Sequence, residues 1–276
     1  MYYFENINNV SVLKRLPKNY RFPISTEIEP LFNTDDECIS QTIRYYQETL
    51  KKSGRAIGYL KLRGIYDIEL VNHFSLGFVD RTLGLMLKQY GYIQEEKIRG
   101  SLQCSGLIKP SGHEFFRGAI IFPFVDENSN VTGGYGRRIT TKLKAGSVYH
   151  LHWLSEEITF FNLPVLQQHK VIILCKNPID ALSIYCLGYH NVISLMGVQS
   201  FDDKHIKKLK QHSVSTVLLA CVGDFYTRRI KTKLKQAGFV VGILKLPQGL
   251  DMNQCLLSST VPKSFLSSLI NRTLLH

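Results

Sequence analysis

The chain of 276 residues has no C-x-x-C pair, no apolar run near the roughly 20 residues that cross a bilayer, and too few acids for its bases. Each shortage excludes something. The six cysteines, Cys38, Cys104, Cys175, Cys186, Cys221 and Cys255, are scattered. Several lie in apolar runs where a thiol behaves as a small hydrophobe, so neither disulfides nor a zinc ribbon is expected, and no zinc. The opening "MYYFENINNV" lacks the basic-then-apolar order of a signal peptide. The expectation is a cytoplasmic protein with no membrane partner. Acids number 22 against 34 Lys and Arg, a formal charge of +12, and such a deficit points to a polyanionic partner, nucleic acid first. Between Lys204 and Lys235 nine basic residues face a single acid, Asp224. A well-solvated soluble surface is the plain alternative.

What is present is a globular composition, 44% hydrophobic, long enough for two modest domains with cores of their own. The last hundred residues alternate regularly. "KVIILC", "NVISL", "TVLLAC" and "FVVGILKLP" read as strands, and "PIDALSIYCLGY", "DDKHIKKLKQH" and "YTRRIKTKLKQAG" as the helices between them. This alternation predicts a mainly parallel sheet with flanking helices and right-handed crossovers. Upstream the reading is mixed. "SQTIRYYQETLKKSG" is a helix ended by Gly54, "DIELVNHFSLGF" a short helix and then a strand, and "AIIFPF", "DENSN", "VTGGYGRRI" a hairpin. The boundary is placed near Leu163 to His169. The expected units are an unassigned segment 1–40, a mixed α+β subdomain 41–165, and an α/β domain 166–276.

In an open parallel sheet, ligands sit beyond the carboxyl ends of the strands. Two such ends carry polar residues: Cys175-Lys176-Asn177 after the first strand, and "CVGDF", with Val222 and Asp224 two apart, after the third. Asn177 is a favoured N-cap and Pro178 suits the first helical position, so a helix with free amides should begin there.

The ordered succession "KNPIDALSIYCLGYHNVISLMGVQSF", "VLLACVGDF", "LKLPQGLD" resembles the TOPRIM domain of DnaG-type bacterial primases. Upstream, "IGYLKLRGI", "FSLGF", "FRGAIIFPFVDENSNVTGGYGRRI" and "YHLHW" look like that family's N-terminal core subdomain, so the similarity runs from about Ile43 to Asp251. It implies a primase-core subdomain followed by a TOPRIM-like sheet, with the Glu of E-G-x-x-D and both Asp of D-G-D holding divalent metal for nucleotidyl transfer. This sequence departs at the decisive positions. Lys176 stands for the Glu, Asn177 for the neighbouring Gly, and Val222 for the first Asp; Gly223, Asp224 and Asp180 keep the pattern.

Magnesium takes oxygen ligands, and two metals need carboxylates to offset their charge. A protonated lysine cannot coordinate, and its repulsion of a divalent ion costs several kcal/mol at an effective dielectric of about 20. A weak or absent Mg or Mn site is therefore expected, with Asp180, Asp224 and Asp251 as its remaining candidate ligands. The degenerate catalytic set is Lys176, Asp180 and Asp224. Three readings of Lys176 stay open: a fixed counter-ion between Asp180 and Asp224, a point charge for a phosphate, or a drifted surface residue.

The resemblance also implies a basic groove for template and nucleotide. Arg117 keeps one such position, Ala119 replaces a second Arg, Arg137 and Arg138 follow the Gly-rich run, and Tyr149 replaces a lysine that Lys142 and Lys144 stand near. Arg228 and Arg229, with Ile230 and Leu234 turned inward, add a second basic surface. Gly133, Gly134 and Gly136 permit either close approach of a phosphate backbone or an ordinary hairpin bulge. Tyr135 suits packing or stacking on an unpaired base. His150 and His152 share one strand face without a third ligand, which argues against a metal there.

The reading is a DnaG-primase-like protein with a degenerate centre that binds single-stranded DNA or other nucleic acid as an accessory in replication or in a mobile element. The family's N-terminal zinc ribbon and C-terminal helicase-binding region are not seen, which suggests a cut-down accessory role; a helicase or a separate zinc-bearing primase is the expected protein partner. The alternatives are an active primase that uses Asp180, Asp224 and Asp251 with Mn²⁺ or Mg²⁺, and a scaffold that touches only proteins.

Overall fold

The structure, a computed structural model, describes residues 2–7, 10–15, 35–143, 145–154, 160–222, 225–247 and 249–274. The chain opens with an antiparallel pair, β1 (Tyr2–Ile7) and β2 (Val10–Arg15). The long helix α1 (Asp35–Lys52) buries Ile39, Ile43, Tyr46 and Leu50, a stripe at three- and four-residue spacing. Ser53 then caps a new helix, accepting from the Ala56 amide at 3.3 Å, so Gly54 opens α2 (Gly54–Leu62) where the sequence suggested only an ending. Asp67 caps α3 (Ile68–His73) in the same manner, accepting from the Glu69 and Leu70 amides. Strand β3 (Gly77–Phe78) and helices α4 (Leu83–Leu87) and α5 (Tyr92–Cys104) follow.

The predicted hairpin forms as β4 (Ala119–Val125) and β5 (Val131–Arg138), and β6 (His150–Leu154) completes an antiparallel sheet of order β3-β4-β5-β6. The turn is tied by Asp126, which accepts from the Asn128 and Asn130 amides. Strand alternation divides β4 between two cores. Ile120, Phe122 and Phe124 enter a core that also holds Ile173 and Leu218 of the second sheet, whereas Ala119 and Ile121 face Ile43, Tyr46 and Leu102.

Two expectations about β5 are settled by packing. None of Gly133, Gly134 and Gly136 has a positive φ. A β-carbon at Gly136 would overlap the Phe116 ring, and one at Gly133 would sit 2.9 Å from the Trp153 carbonyl oxygen. These glycines make room for the protein's own core, not for a phosphate backbone. Tyr135 is likewise 1% exposed and packs against Phe122, so it is a core residue and not a base platform.

The second sheet is parallel throughout, as the alternation predicts. Strand β7 (Val171–Cys175), helix α6 (Pro178–Tyr185), β8 (Val192–Ser194), α7 (Asp203–Gln211), β9 (Thr216–Ala220), α8 (Phe225–Gln236) and β10 (Val240–Ile243) alternate, with strand order β10-β9-β7-β8. The chain reverses direction across the sheet between β7 and β9, which opens a crevice at their carboxyl ends. Two further helices, α9 (Met252–Ser258) and α10 (Pro262–Leu274), pack Met252, Leu256, Leu266 and Ile270 into the core that the two sheets share. The sheets are also joined at the surface, where Glu127 of the β4–β5 turn accepts from Lys208 at 2.8 Å and meets His212 at 3.1 Å. Among the described residues no helix is long and apolar enough to cross a membrane.

Candidate functional site

The turn after β7 is built as its sequence implies. Asn177 caps α6, its side-chain oxygen accepting from the Asp180 amide at 3.0 Å, and Pro178 occupies the first turn. The cap fixes Asp180, whose side chain is 2% exposed and sits four residues from Lys176. Lys176 Nζ lies 3.8 Å from Asp180 Oδ2 and 3.3 Å from Asp251 Oδ2. The ammonium therefore stands between two carboxylates. One of them, Asp251, the N-cap of α9, is not among the partners expected for the lysine; Asp224, the other expected partner, lies outside the described residues with Gly223.

Every oxygen of these two acids is engaged. Asp180 Oδ2 accepts from Asn177 Nδ2 and Oδ1 from the Asn253 amide, each at 3.0 Å. Asp251 Oδ1 accepts from the Gln254 amide at 2.9 Å, and its Oδ2 receives Lys176. Burial drives the Asp180 carboxyl up to about 7, against the opposing pull of Lys176, with Asp251 adding to the rise. Behind it, buried Asn253 donates at 2.8 Å to both the Arg63 carbonyl and Ser183 Oγ, and it accepts from Arg63 Nη1 at 3.1 Å. This network ties α2 of the first unit to α6 and α9 of the second.

A divalent metal, which the resemblance implies, has little to bind among these groups. Val222 offers methyl groups where a carboxylate is needed, and both described acids already hold an ammonium between them. Among the described residues no group of three His, Cys, Asp or Glu is placed to hold an ion. The described donor set does not fit a two-metal centre, and no chemical step is routed through one.

Facing this turn from β5 and β6 are Tyr135, Arg137 and His150. Arg137 Nη1 is 2.7 Å from His150 Nε2, and Tyr135 Oη is 2.6 Å from His150 Nδ1. A guanidinium only donates, so Nε2 accepts and the ring proton belongs on Nδ1, directed at Tyr135. Burial first, then Arg137, with smaller contributions from His152 and Lys176, pushes the imidazole down to about 4. His150 is thus neutral near pH 7, a fixed support for Arg137, whose guanidinium also lies 5.0 Å from the Tyr149 ring centre.

The basic residues do not form one groove. Successive strand residues point to opposite faces, so Arg137 faces the Lys176 turn while Arg138 points away and donates to the Val148 carbonyl at 3.1 Å. Arg138 and Arg117 belong with two arginines that the motifs did not flag, Arg55 and Arg81. Burial, with the neighbouring charges of Arg117 and Arg55, holds the Arg81 guanidinium below its ordinary value. Arg55 donates to the Ile139 carbonyl at 3.1 Å. Lys142 sits in the exposed loop after β5, held by a Thr140 turn; Lys144 lies outside the described residues. Arg228 and Arg229 are on α8, which buries Thr227, Ile230 and Leu234. Arg63, Ser183 and Asn253 carried no motif signal, but D-x-x-Q at Asp251 to Gln254 is a capping box, confirmed in both directions, and marks the start of α9.

Comparison with known proteins agrees with this architecture. Residues 45–148 match the family described as DNA primase catalytic core, N-terminal domain, and residues 173–256 match the family described as Toprim-like. The DNA primase of Clostridium acetobutylicum is 26% identical over 224 residues, covering 78% of this chain and 37% of that protein. The DNA primase of Aquifex aeolicus is 22% identical, covering 91% of this chain and 52% of that protein. The chain thus spans between about a third and a half of these relatives' length. Among solved structures, the zinc-binding and RNA polymerase domains of the Aquifex aeolicus primase superpose with a TM-score of 0.73 at 21% identity, over 90% of this chain and 62% of that one. A DnaG primase catalytic domain bound to ssDNA gives 0.69 at 19% identity, over 86% and 80%. Two family matches in the primase order, curated primase relatives and a shared fold together support a DnaG-type primase core with a Toprim-like domain.

Proposed function

We propose that this protein binds single-stranded nucleic acid through a primase core whose metal centre has been replaced by a lysine held between two carboxylates. The observation that carries the reading is the position of Lys176, 3.3 Å from Asp251 and 3.8 Å from Asp180. An ammonium there offsets part of the acids' negative charge, the rise of Asp180 to about 7 lowering what remains, and it repels a divalent ion. The formal charge of +12, the cluster of Arg55, Arg81, Arg117 and Arg138, and the basic face of α8 support a polyanionic partner. The role that follows is an accessory one in replication or in a mobile element, beside a helicase or a zinc-bearing primase.

Binding of a labelled single strand at two salt concentrations tests the first half of the proposal. Affinity should fall steeply with salt, by a logarithmic slope of about −0.7 for each phosphate neutralised. A protein that touches only other proteins gives no such slope. Incubation with template, labelled nucleotides and Mg²⁺ or Mn²⁺ tests the second half, and no oligoribonucleotide should form. Template-dependent products that vanish in Asp224→Ala would establish an active primase instead.

A further inference from the structure

The first turn of α8 presents two aromatic side chains to solvent at the carboxyl edge of the parallel sheet. Phe225 is 69% exposed and Tyr226 36% exposed, their rings edge to face with centroids 5.5 Å apart. A helix of this kind normally turns its apolar side chains inward, and α8 does so with Ile230 and Leu234. Phe225 contributes nothing to that stripe. Every charged residue of α8 is basic, Arg229, Lys231, Lys233 and Lys235 among them, with no acid in its twelve residues. Beside Tyr226 a shallow groove runs to the short turn at Val198–Ser200, lined by Val198, Phe201, Tyr226, Arg229 and Lys233. Lys233 also donates to Asp203 at 2.9 Å.

Aromatic faces interleaved with cations on one helix match the repeat of a single strand, in which flat bases alternate with phosphates. The groove is too shallow to enclose a free nucleotide, which favours a polymer lying across it over a small ligand inside it. The position is also the expected one, since α8 begins where β9 ends, on the sheet edge that carries Lys176. We infer that Phe225, braced edge-on by Tyr226, stacks on an unpaired base of a single strand whose phosphates lie on Arg229 and Lys233. This rests on the nucleic-acid-binding reading above and adds to it a base-contacting platform outside the arginine cluster.

The test compares an oligothymidylate of about 20 nucleotides with an abasic strand of the same length, by fluorescence anisotropy on the full chain. In Phe225→Ala, affinity for the oligothymidylate should fall about 5- to 150-fold, the ordinary yield of one stacked base, while affinity for the abasic strand stays as in wild type. Phe225→Trp should bind as wild type, and its added indole emission should be quenched by the oligothymidylate and not by the abasic strand. Because Phe225 is exposed, circular dichroism should show both variants folded. Unchanged affinity of Phe225→Ala for the oligothymidylate, or an equal loss on both strands, overturns the stacking inference and leaves the aromatic pair to a protein contact. If wild type binds neither strand, the nucleic-acid reading itself fails and takes the inference with it.

Discussion

Replacing Lys176 by methionine removes the ammonium and keeps most of the side chain's volume. At an effective dielectric of about 20, attraction over 3.8 Å to Asp180 and 3.3 Å to Asp251 amounts to about 4–5 kcal/mol for each pair. Lys176 is 28% exposed and Asp251 25%, so hydration of the free ammonium and solvent screening offset most of this. A net loss of about 1–2 kcal/mol remains at pH 8.5. The pH dependence separates a counter-ion from a surface lysine. Asp180 titrates near 7 in the fold and near 3.9 unfolded, so the folded state binds more protons between those values. Its contribution to stability therefore falls as pH rises through that window. Without Lys176 the folded value moves higher still, and the fall continues above pH 7. At pH 5 Asp180 is protonated in both folded proteins, and only the part-buried, solvent-screened pairing with Asp251 is lost, worth about 0.5–1 kcal/mol. Urea unfolding at pH 5 and 8.5, followed by circular dichroism, measures the difference. A loss of equal size at the two pH values, or none at pH 8.5, refutes the counter-ion argument.

Two further substitutions probe the frame around this site. Asn253→Ala removes the donors to Arg63 and Ser183 and the acceptor for Arg63 from a residue that is 1% exposed; it should cost about 2–3 kcal/mol in urea, and a loss below about 0.5 kcal/mol would deny the network its joining role. Gly136→Ala places a methyl group in the Phe116 ring and should destabilise by about 1–3 kcal/mol, read as a lowered thermal midpoint; an unchanged midpoint would contradict the packing account of these glycines.

Much of this was legible in the sequence where local chemistry and long-range order agree. The parallel sheet follows from short β-branched runs separated by amphipathic helices, and the start of α6 from Asn177 and Pro178, because an N-cap depends on residues within one turn. The β4–β5 hairpin was equally plain from its turn residues. The partner of Lys176 was not, because Asp251 is 75 residues distant and reaches the turn only once α9 packs beside α6. The separation of Arg137 from Arg138 follows from strand alternation, yet which face meets the site depends on the neighbouring sheet. The glycines of β5 misled for a related reason: lack of a β-carbon serves a close approach by any group, and only packing reveals that Phe116 and Trp153 are the groups concerned. Arg55 and Arg81 come from separate elements and become neighbours of Arg117 only in the folded chain.

The central claim is that Lys176 stands where a divalent ion would otherwise bind. A calorimetric titration of Mg²⁺ into wild type and into the Lys176→Glu, Val222→Asp double variant tests it most directly. The account predicts no saturable heat for wild type and a saturable site in the double variant, where two carboxylates are restored to the ends of β7 and β9. Tight Mg²⁺ binding by the wild-type protein, abolished by Asp224→Ala, would contradict it.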